Sequence, residues 1–290
     1  MKKFVILIPV YNDWESLQKL LLEINNSIQS IKNIEFHCVI VNDASTISIP
    51  EMSIPSNIAS IKLINMKKNK GHARCNAFAI RYFSKNDNFD HLILMDGDGE
   101  DRPEELSLLV EKALIDENTS VVAKRVKRSE GILFQLLYQT HKLITILFTG
   151  KNVNFGNYSC LTNIDVKNLS QKKSLWSSFS GSVKFHISQL NTIKSIRGLR
   201  YFGPSKMSIF RLVIHSLSII AVFKKTVFLR SAIFIILSSY LAFAIKVFLP
   251  IIIFQFFITV FSILIYIVSL RENEKDFLDS DLNIESIKSL

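Results

Sequence analysis

The sequence predicts an α/β domain built from βαβ units, followed by a pair of membrane-spanning helices. Three observations carry that prediction. Short, continuous apolar runs starting at Phe4, His37 and His91 (FVILIPV, HCVIVN, HLILM) each lead into Asn or Asp. Unbroken rather than alternating runs mean strands covered on both faces, as in a parallel sheet. Between them, WESLQKLLLEINNSIQSI (Trp14–Ile31) and GHARCNAFAIRYFSK (Gly71–Lys85) carry apolar residues at helical spacing. From Phe228 to Leu270 the chain is almost wholly Ile, Phe, Leu, Val, Ala and Ser.

Two lysines precede the first run. It is nevertheless too short for a signal peptide, contains Pro9 and lacks a small-residue cleavage site, so it reads as a buried strand. In open α/β sheets, ligands bind beyond the carboxyl ends of the strands. Tyr11, Asn12 and Asp13 stand there after the first strand, Asn42 and Asp43 after the second, Asp96 and Asp98 after the third. No GxGxxG or GxxxxGK[ST] follows any of them, which excludes a dinucleotide fingerprint and a P-loop. A phosphate-bearing ligand held through a cation is the remaining expectation. Asp96 and Asp98 flank Gly97, and alternate side chains of an extended segment point the same way. Two such carboxylates make a hard oxygen site for Mg²⁺ or Mn²⁺. Asp101, Pro103, Glu104 and Glu105 suit the first turn of a helix.

The 290 residues carry 48% hydrophobic content and a formal charge of +10, enough for one large domain and a further element. The positive surplus suits an anionic membrane surface and phosphate. With no aromatic–basic stripe or binding motif, nucleic acid is excluded as the partner. Cys38, Cys75 and Cys160 form no CxxC pair and read as reduced packing residues. A spanning helix needs about 20 apolar residues. Ser231–Ile245, with its flanks, and Val247–Leu270 meet this as a two-helix hairpin broken near Lys246 and Pro250. Lys224, Lys225 and Arg230 before it and Arg271 and Lys275 after it place both ends in the cytoplasm. Gly131–Phe148 and Ser208–Lys225 read as helices at the membrane surface or, equally, as core helices. The expected organisation is a cytosolic domain at 1–207, an interfacial helix at 208–227, a transmembrane hairpin at 228–270 and a flexible cytoplasmic tail at 271–290.

IPVYND, VNDAS, NKGHARCNA and MDGDGEDRPE, in that order, resemble the nucleotide-sugar-binding half of inverting family 2 glycosyltransferases with a GT-A fold. VVAKRVKRSEG, FGNYSCL and GLRYFGPSKMSIFRL resemble a narrower group, the polyprenyl-phosphate glycosyltransferases that include dolichyl-phosphate mannose synthases and bactoprenol glucosyltransferases. The resemblance implies that Pro9, Tyr11 and Asp13 line the nucleotide pocket and that Asp43 accepts from the base. It gives Asp96 the ribose or metal, Asp98 the metal, and Glu100 a place where the group usually has Gln. It sets Arg125, Arg200 and Lys206 near the acceptor phosphate. Where the group commonly has acids, this chain has Asn154 and Asn157; Asp13 replaces the usual Glu, and Asn42 replaces an Asp.

The expectation is therefore a multi-pass inner-membrane transferase. It would move one sugar from a nucleotide sugar, a UDP-hexose by preference, to undecaprenyl phosphate for cell-surface glycan synthesis. A saccharide or glycolipid hydroxyl acceptor, and a catalytically silent nucleotide-sugar-binding subunit, are the alternatives. A homo-oligomer stays open.

Overall fold

The computed structural model describes residues 1–86, 88–127, 132–204 and 208–290. Strands β1 (Lys2–Val10), β2 (Ile34–Asn42), β3 (Ser60–Met66) and β4 (His91–Leu94) enclose helices α1 (Trp14–Ile28) and α2 (His72–Asn86). A 3-10 turn at Pro103–Glu105 leads into α3 (Leu106–Ile115). There follow β5 (Val121–Lys127), α4 (Ile132–Thr149), β6 (Phe155–Thr162), α5 (Asn163–Leu169), α6 (Phe179–His186) and β7 (Asn191–Ile196). Helices α7 (Ile209–Ala221), α8 (Lys224–Ile245) and α9 (Leu249–Ser269) come next, then α10 (Glu274–Leu278) and β8 (Ile284–Ser289).

The strands make one sheet in the order β7-β5-β6-β4-β1-β2-β3-β8. Strands β4, β1, β2 and β3 are mutually parallel. Strand β6 runs against β4 and β5, so β5 and its parallel neighbour β7 point the same way as β1. The carboxyl ends of β1, β2, β4, β5 and β7 therefore share one rim, and β6 brings its amino end to it.

The unbroken apolar pattern of β1 is explained by its central place. Phe4, Ile6, Ile8 and Val10 enter the core on one face with α1 and α3, while Val5 and Leu7 enter the core under α2 on the other. Pro9, which has no N–H to donate, lies beyond the last β1–β4 pair, Leu7↔Leu94. Leu7 is fully buried. Leu7→Ala is expected to cost about 3 kcal/mol, read as a lower unfolding temperature of the detergent-solubilised protein, because the central sheet cannot collapse around the void. All three cysteines are free and buried, and burial pushes the Cys38 thiol up to about 12.

Helices α8 and α9, of 22 and 21 residues, are each long and apolar enough to cross a membrane. Helix α8 starts at Lys224, four residues before the expected Phe228 and inside the stretch assigned to the surface helix. Lys246 turns the chain between the two in the left-handed region, at φ 57°. Phe243, Phe256 and Phe257 project outward at 75%, 62% and 64% exposure; such an apolar surface requires a non-aqueous neighbour. Between the helices, Gln255 Nε2 donates to Ser238 Oγ and Ser239 Oγ at 3.0 and 2.9 Å, satisfying polar groups that lipid would leave unpaired. Helices α4 and α7 dock on the hairpin through a shared cluster including Phe148, Ile220, Val227, Ile258 and Ile265. Both are partly core and partly exposed. On α7, Ile220 and Ala221 are buried while Phe210 is 72% exposed.

The polar segment 271–290, expected to be a flexible tail, is folded. Lys224 Nζ meets the Glu272 carboxylate at 2.7 Å, closing the base of the hairpin. The buried Phe277 packs on Trp176. Strand β8 then adds antiparallel to β3. This edge strand packs only Ile284 against the core, so IESIKS gives little sequence signal.

Candidate active site

Three of the expected positions are joined by loop geometry at the rim. Asn12, at φ 51°, accepts through Oδ1 from Thr46 N at 2.8 Å and Ile47 N at 3.1 Å, tying the end of β1 to the loop after β2. Asn42 donates to Asn65 Oδ1 at 2.9 Å while its own Oδ1 accepts from Ser45 N at 2.9 Å. Asn65 in turn donates to Ser286 Oγ at 3.0 Å. This ladder across β2, β3 and β8 uses a donor that an Asp at position 42 would lack. Asp43 accepts Lys70 N and Gly71 N, each at 2.8 Å, one on each oxygen. Burial raises its pKa despite those bonds. Its visible role is to order the loop before α2.

After β4 the chain makes a tight acidic turn. Gly99, at φ 87°, lies under the Tyr201 ring, where a Cβ would collide. Asp98 is half-buried, and its Oδ1 accepts from Glu100 N at 3.1 Å. Burial, Asp96 and Glu100 push its carboxyl up to about 6. Burial would likewise raise Asp96, but His72, Asn157 and Arg125 together hold it well below the usual carboxylate range. His72 Nε2 lies 3.1 Å from Asp96 Oδ1, and Asn157 Nδ2 donates to the same oxygen at 3.1 Å. An acid at position 157 would repel Asp96; the amide here donates to it. Partial desolvation of His72 is overridden by Asp96, and its pKa rises.

Basic side chains close the rim. Arg200 bridges two acids, donating from Nη1 to Asp98 Oδ2 at 2.9 Å and from Nη2 to Asp13 Oδ2, and its Nε donates to Phe202 O at 2.9 Å. Arg197 pairs with Glu100. Tyr201 N donates to Asp98 O at 2.9 Å, and Tyr201 Oη donates to Glu23. Residues 197–202 are thereby strapped across the acidic turn. Arg125, on β5, lies over Gly156 and contributes to holding Asp96 ionised. On α7, desolvation followed by the charges of His72 and Arg125 pushes His215 down to about 4.

The structure thus gathers Asp13, Asp96, Asp98, Glu100, Arg125, Asn157 and Arg200 at one place. Pro9 is buried beneath Gly97, and Tyr11 is 42% exposed beside the rim. Asn154 takes part through its backbone oxygen, which accepts from Arg125 N at 3.1 Å. Lys206 lies outside the described residues. Two of the acids read as a plain helix start have tertiary roles. Asp101 is buried, accepts Asp96 N at 3.0 Å through Oδ2, and is pushed up to about 7 by burial and Asp96. Glu105 is also buried and accepts Ile196 N at 3.0 Å at the end of β7. Glu104 remains a solvated first-turn acid. The sequence shows His72 only as the residue after Gly71 at a helix start; its role comes from the contact with Asp96.

Among the described residues, no three His, Cys, Asp or Glu side chains converge as a metal cage. Asp98, with Asp96 beside it, offers hard oxygens carrying excess negative charge. That set suits a cation drawing its remaining ligands from a phosphate substrate and water, as Mg²⁺ does.

The undecaprenyl-phosphate 4-deoxy-4-formamido-L-arabinose transferase of Salmonella choleraesuis (strain SC-B67) is 27% identical over 223 residues, covering 73% of this chain and 65% of that protein. That of Salmonella typhimurium (strain LT2) matches to the same extent. The chain spans just under two thirds of these relatives' length. Among solved structures, glucosyl-3-phosphoglycerate synthase from Mycobacterium tuberculosis, in complex with Mn²⁺, UDP-glucose and phosphoglyceric acid, superposes with a TM-score of 0.51 at 13% identity, covering 78% of this chain and 80% of that one. S. aureus TarS 1-349 in complex with UDP-GlcNAc gives 0.50 at 17% identity, covering 86% and 77%. These likenesses establish the GT-A fold. The sequence model described as "Glycosyl transferase family 2" matches residues 5–179, more than half of the chain, and the protein belongs to that family.

Proposed function

We propose that the protein is a membrane-anchored inverting glycosyltransferase that moves a single sugar from a nucleotide sugar, a UDP-hexose by preference, to polyprenyl phosphate. One observation carries the reading. The acidic pair Asp96 and Asp98 meets Arg125 and Arg200 at the rim, the next helix after the 197–202 strap is α7, and α7 is packed against two helices of membrane-spanning length. The donor diphosphate lies over the acidic turn, with Asp43 and Tyr11 on the base side. The acceptor phosphate enters from the membrane side toward Arg125, with Lys206 as a further cation. A bound Mg²⁺ or Mn²⁺, held by Asp98 and Asp96, would stabilise the charge that develops on the departing nucleoside diphosphate.

The acceptor supplies its own nucleophile. A phosphate monoester has a second pKa of about 6 and is largely ionised at neutral pH. Its oxygen attacks the anomeric carbon from the face opposite the diphosphate, the carbon–oxygen bond to the donor breaks, and configuration inverts. No proton needs removing, so amides at 154 and 157 are compatible with turnover. A sugar hydroxyl would require a base. Asn157 serves instead to hold Asp96 ionised and oriented. Basic residues flanking the hairpin support cytoplasmic placement of both ends and of the catalytic domain.

The test offers the purified protein undecaprenyl phosphate and, in parallel, a glycolipid with a free hydroxyl. The reading expects product with the phosphate alone. Product with the hydroxyl acceptor alone would replace it by the hydroxyl-acceptor alternative.

A further inference from the structure

The residues that follow the membrane hairpin reach the nucleotide rim from behind. Lys67 N donates to Asn283 O at 2.7 Å, and Lys67 Nζ donates to Leu282 O at 3.0 Å. The Asn283 side chain then engages one residue twice: Oδ1 accepts from Lys68 N at 3.1 Å, and Nδ2 donates to Lys68 O at 3.0 Å. Two residues on, Asp43 takes the amides of Lys70 and Gly71. Gly71 turns the chain at φ 90°, and His72 reaches Asp96. The segment 67–72 is thus held at one end by the C-terminal segment, in the middle by Asp43 and at the other end by Asp96. The Asn42–Asn65–Ser286 ladder runs beside it. Only a short side chain with both a donor and an acceptor can pair with the N–H and C=O of one residue. Asp lacks the donor and Ala lacks both.

We infer that Asn283 is a positioning residue for the donor: it sets the path of residues 67–72, and through Asp43 and His72 the shape of the nucleotide side of the rim. This inference rests on reading that rim as a nucleotide-sugar site. It also gives the last twenty residues a role in donor binding, on the far side of the chain from the motifs that mark the site.

The test uses the full chain in detergent, with Asn283→Ala and Asn283→Asp. UDP binding in the presence of Mn²⁺ is measured by calorimetry, donor KM and kcat by turnover, and amide exchange segment by segment. Loss of two hydrogen bonds is expected to weaken UDP binding and raise donor KM about tenfold in Asn283→Ala. kcat should hold within about twofold, since the bonds set ground-state geometry. Asn283→Asp keeps the acceptor toward Lys68 N and should fall between. Exchange at residues 67–72 should quicken while β1 and β2 keep their protection. Unchanged UDP affinity and unchanged exchange would overturn the inference. A uniform loss of protection across the sheet, with affinity falling in proportion, would also overturn it by making the role merely structural. If UDP fails to bind the unaltered protein, the nucleotide reading falls and the donor role with it. The exchange arm, which needs no ligand, then still shows whether Asn283 orders the loop.

Discussion

Asp98→Ala is expected to remove about 10³-fold of kcat/KM while leaving the protein folded, since a metal ligand at a developing negative charge supplies several kcal/mol and each 1.36 kcal/mol is a factor of ten. The expectation comes from the surroundings of the carboxylate. Burial and two neighbouring acids push it up to about 6, so a cation placed there relieves repulsion. Arg200 partly supplies that charge through the 2.9 Å bond to Oδ2. Removing the carboxylate would lose the proposed metal ligand and one of the two acids that Arg200 joins, while breaking no core packing. Turnover at saturating metal and the unfolding temperature are the readouts. Activity above a tenth of the original would show that Asp98 does not hold the catalytic metal.

The second large effect is expected at Arg200. Its guanidinium joins Asp98, Asp13 and the Phe202 carbonyl, and a planar fork is the group able to bridge two carboxylates at fixed spacing. Arg200→Ala leaves two half-buried acids without their shared counter-charge and releases one anchor of the 197–202 strap. Both the acids and the strap then lose their fixed positions, and a misplacement of about 1 Å can cost about 10²-fold, so kcat/KM is expected to fall about 10²-fold. Arg200→Lys should recover little, because an ammonium cannot span both partners in the same geometry. Recovery to near full activity in Arg200→Lys would reduce the role to bulk charge.

Much of this site was legible because its signals are local. A continuous apolar run ending in Asn or Asp is a strand delivering a polar group to one rim, and β1, β2 and β4 each obey it. The amphipathic runs of α1 and α2 and the apolar length of α8 and α9 are equally local. What escaped depends on distant partners. Asp101 looks like a helix-start acid until Asp96 N is placed on it. His72 gains its meaning from Asp96, 24 positions away. Asn42 reads as a loss relative to the group's Asp until Asn65 and Ser286 complete the ladder. Strand β8 carries too few apolar residues to announce itself. Its pairing to β3 is fixed by backbone bonds and by Asn283, which no periodicity records.

The proposed transfer of sugar at the acidic rim to lipid phosphate uses a divalent cation. It is tested most directly by incubating the detergent-solubilised protein with undecaprenyl phosphate and radiolabelled UDP- and GDP-sugars, with Mg²⁺, with Mn²⁺ and with chelator. An acid-labile, lipid-extractable labelled product from one donor is expected, formed with either metal and absent with chelator. Binding of a donor with no labelled lipid from any member of the panel, in protein whose fold is intact, would contradict it and leave a silent nucleotide-sugar-binding subunit.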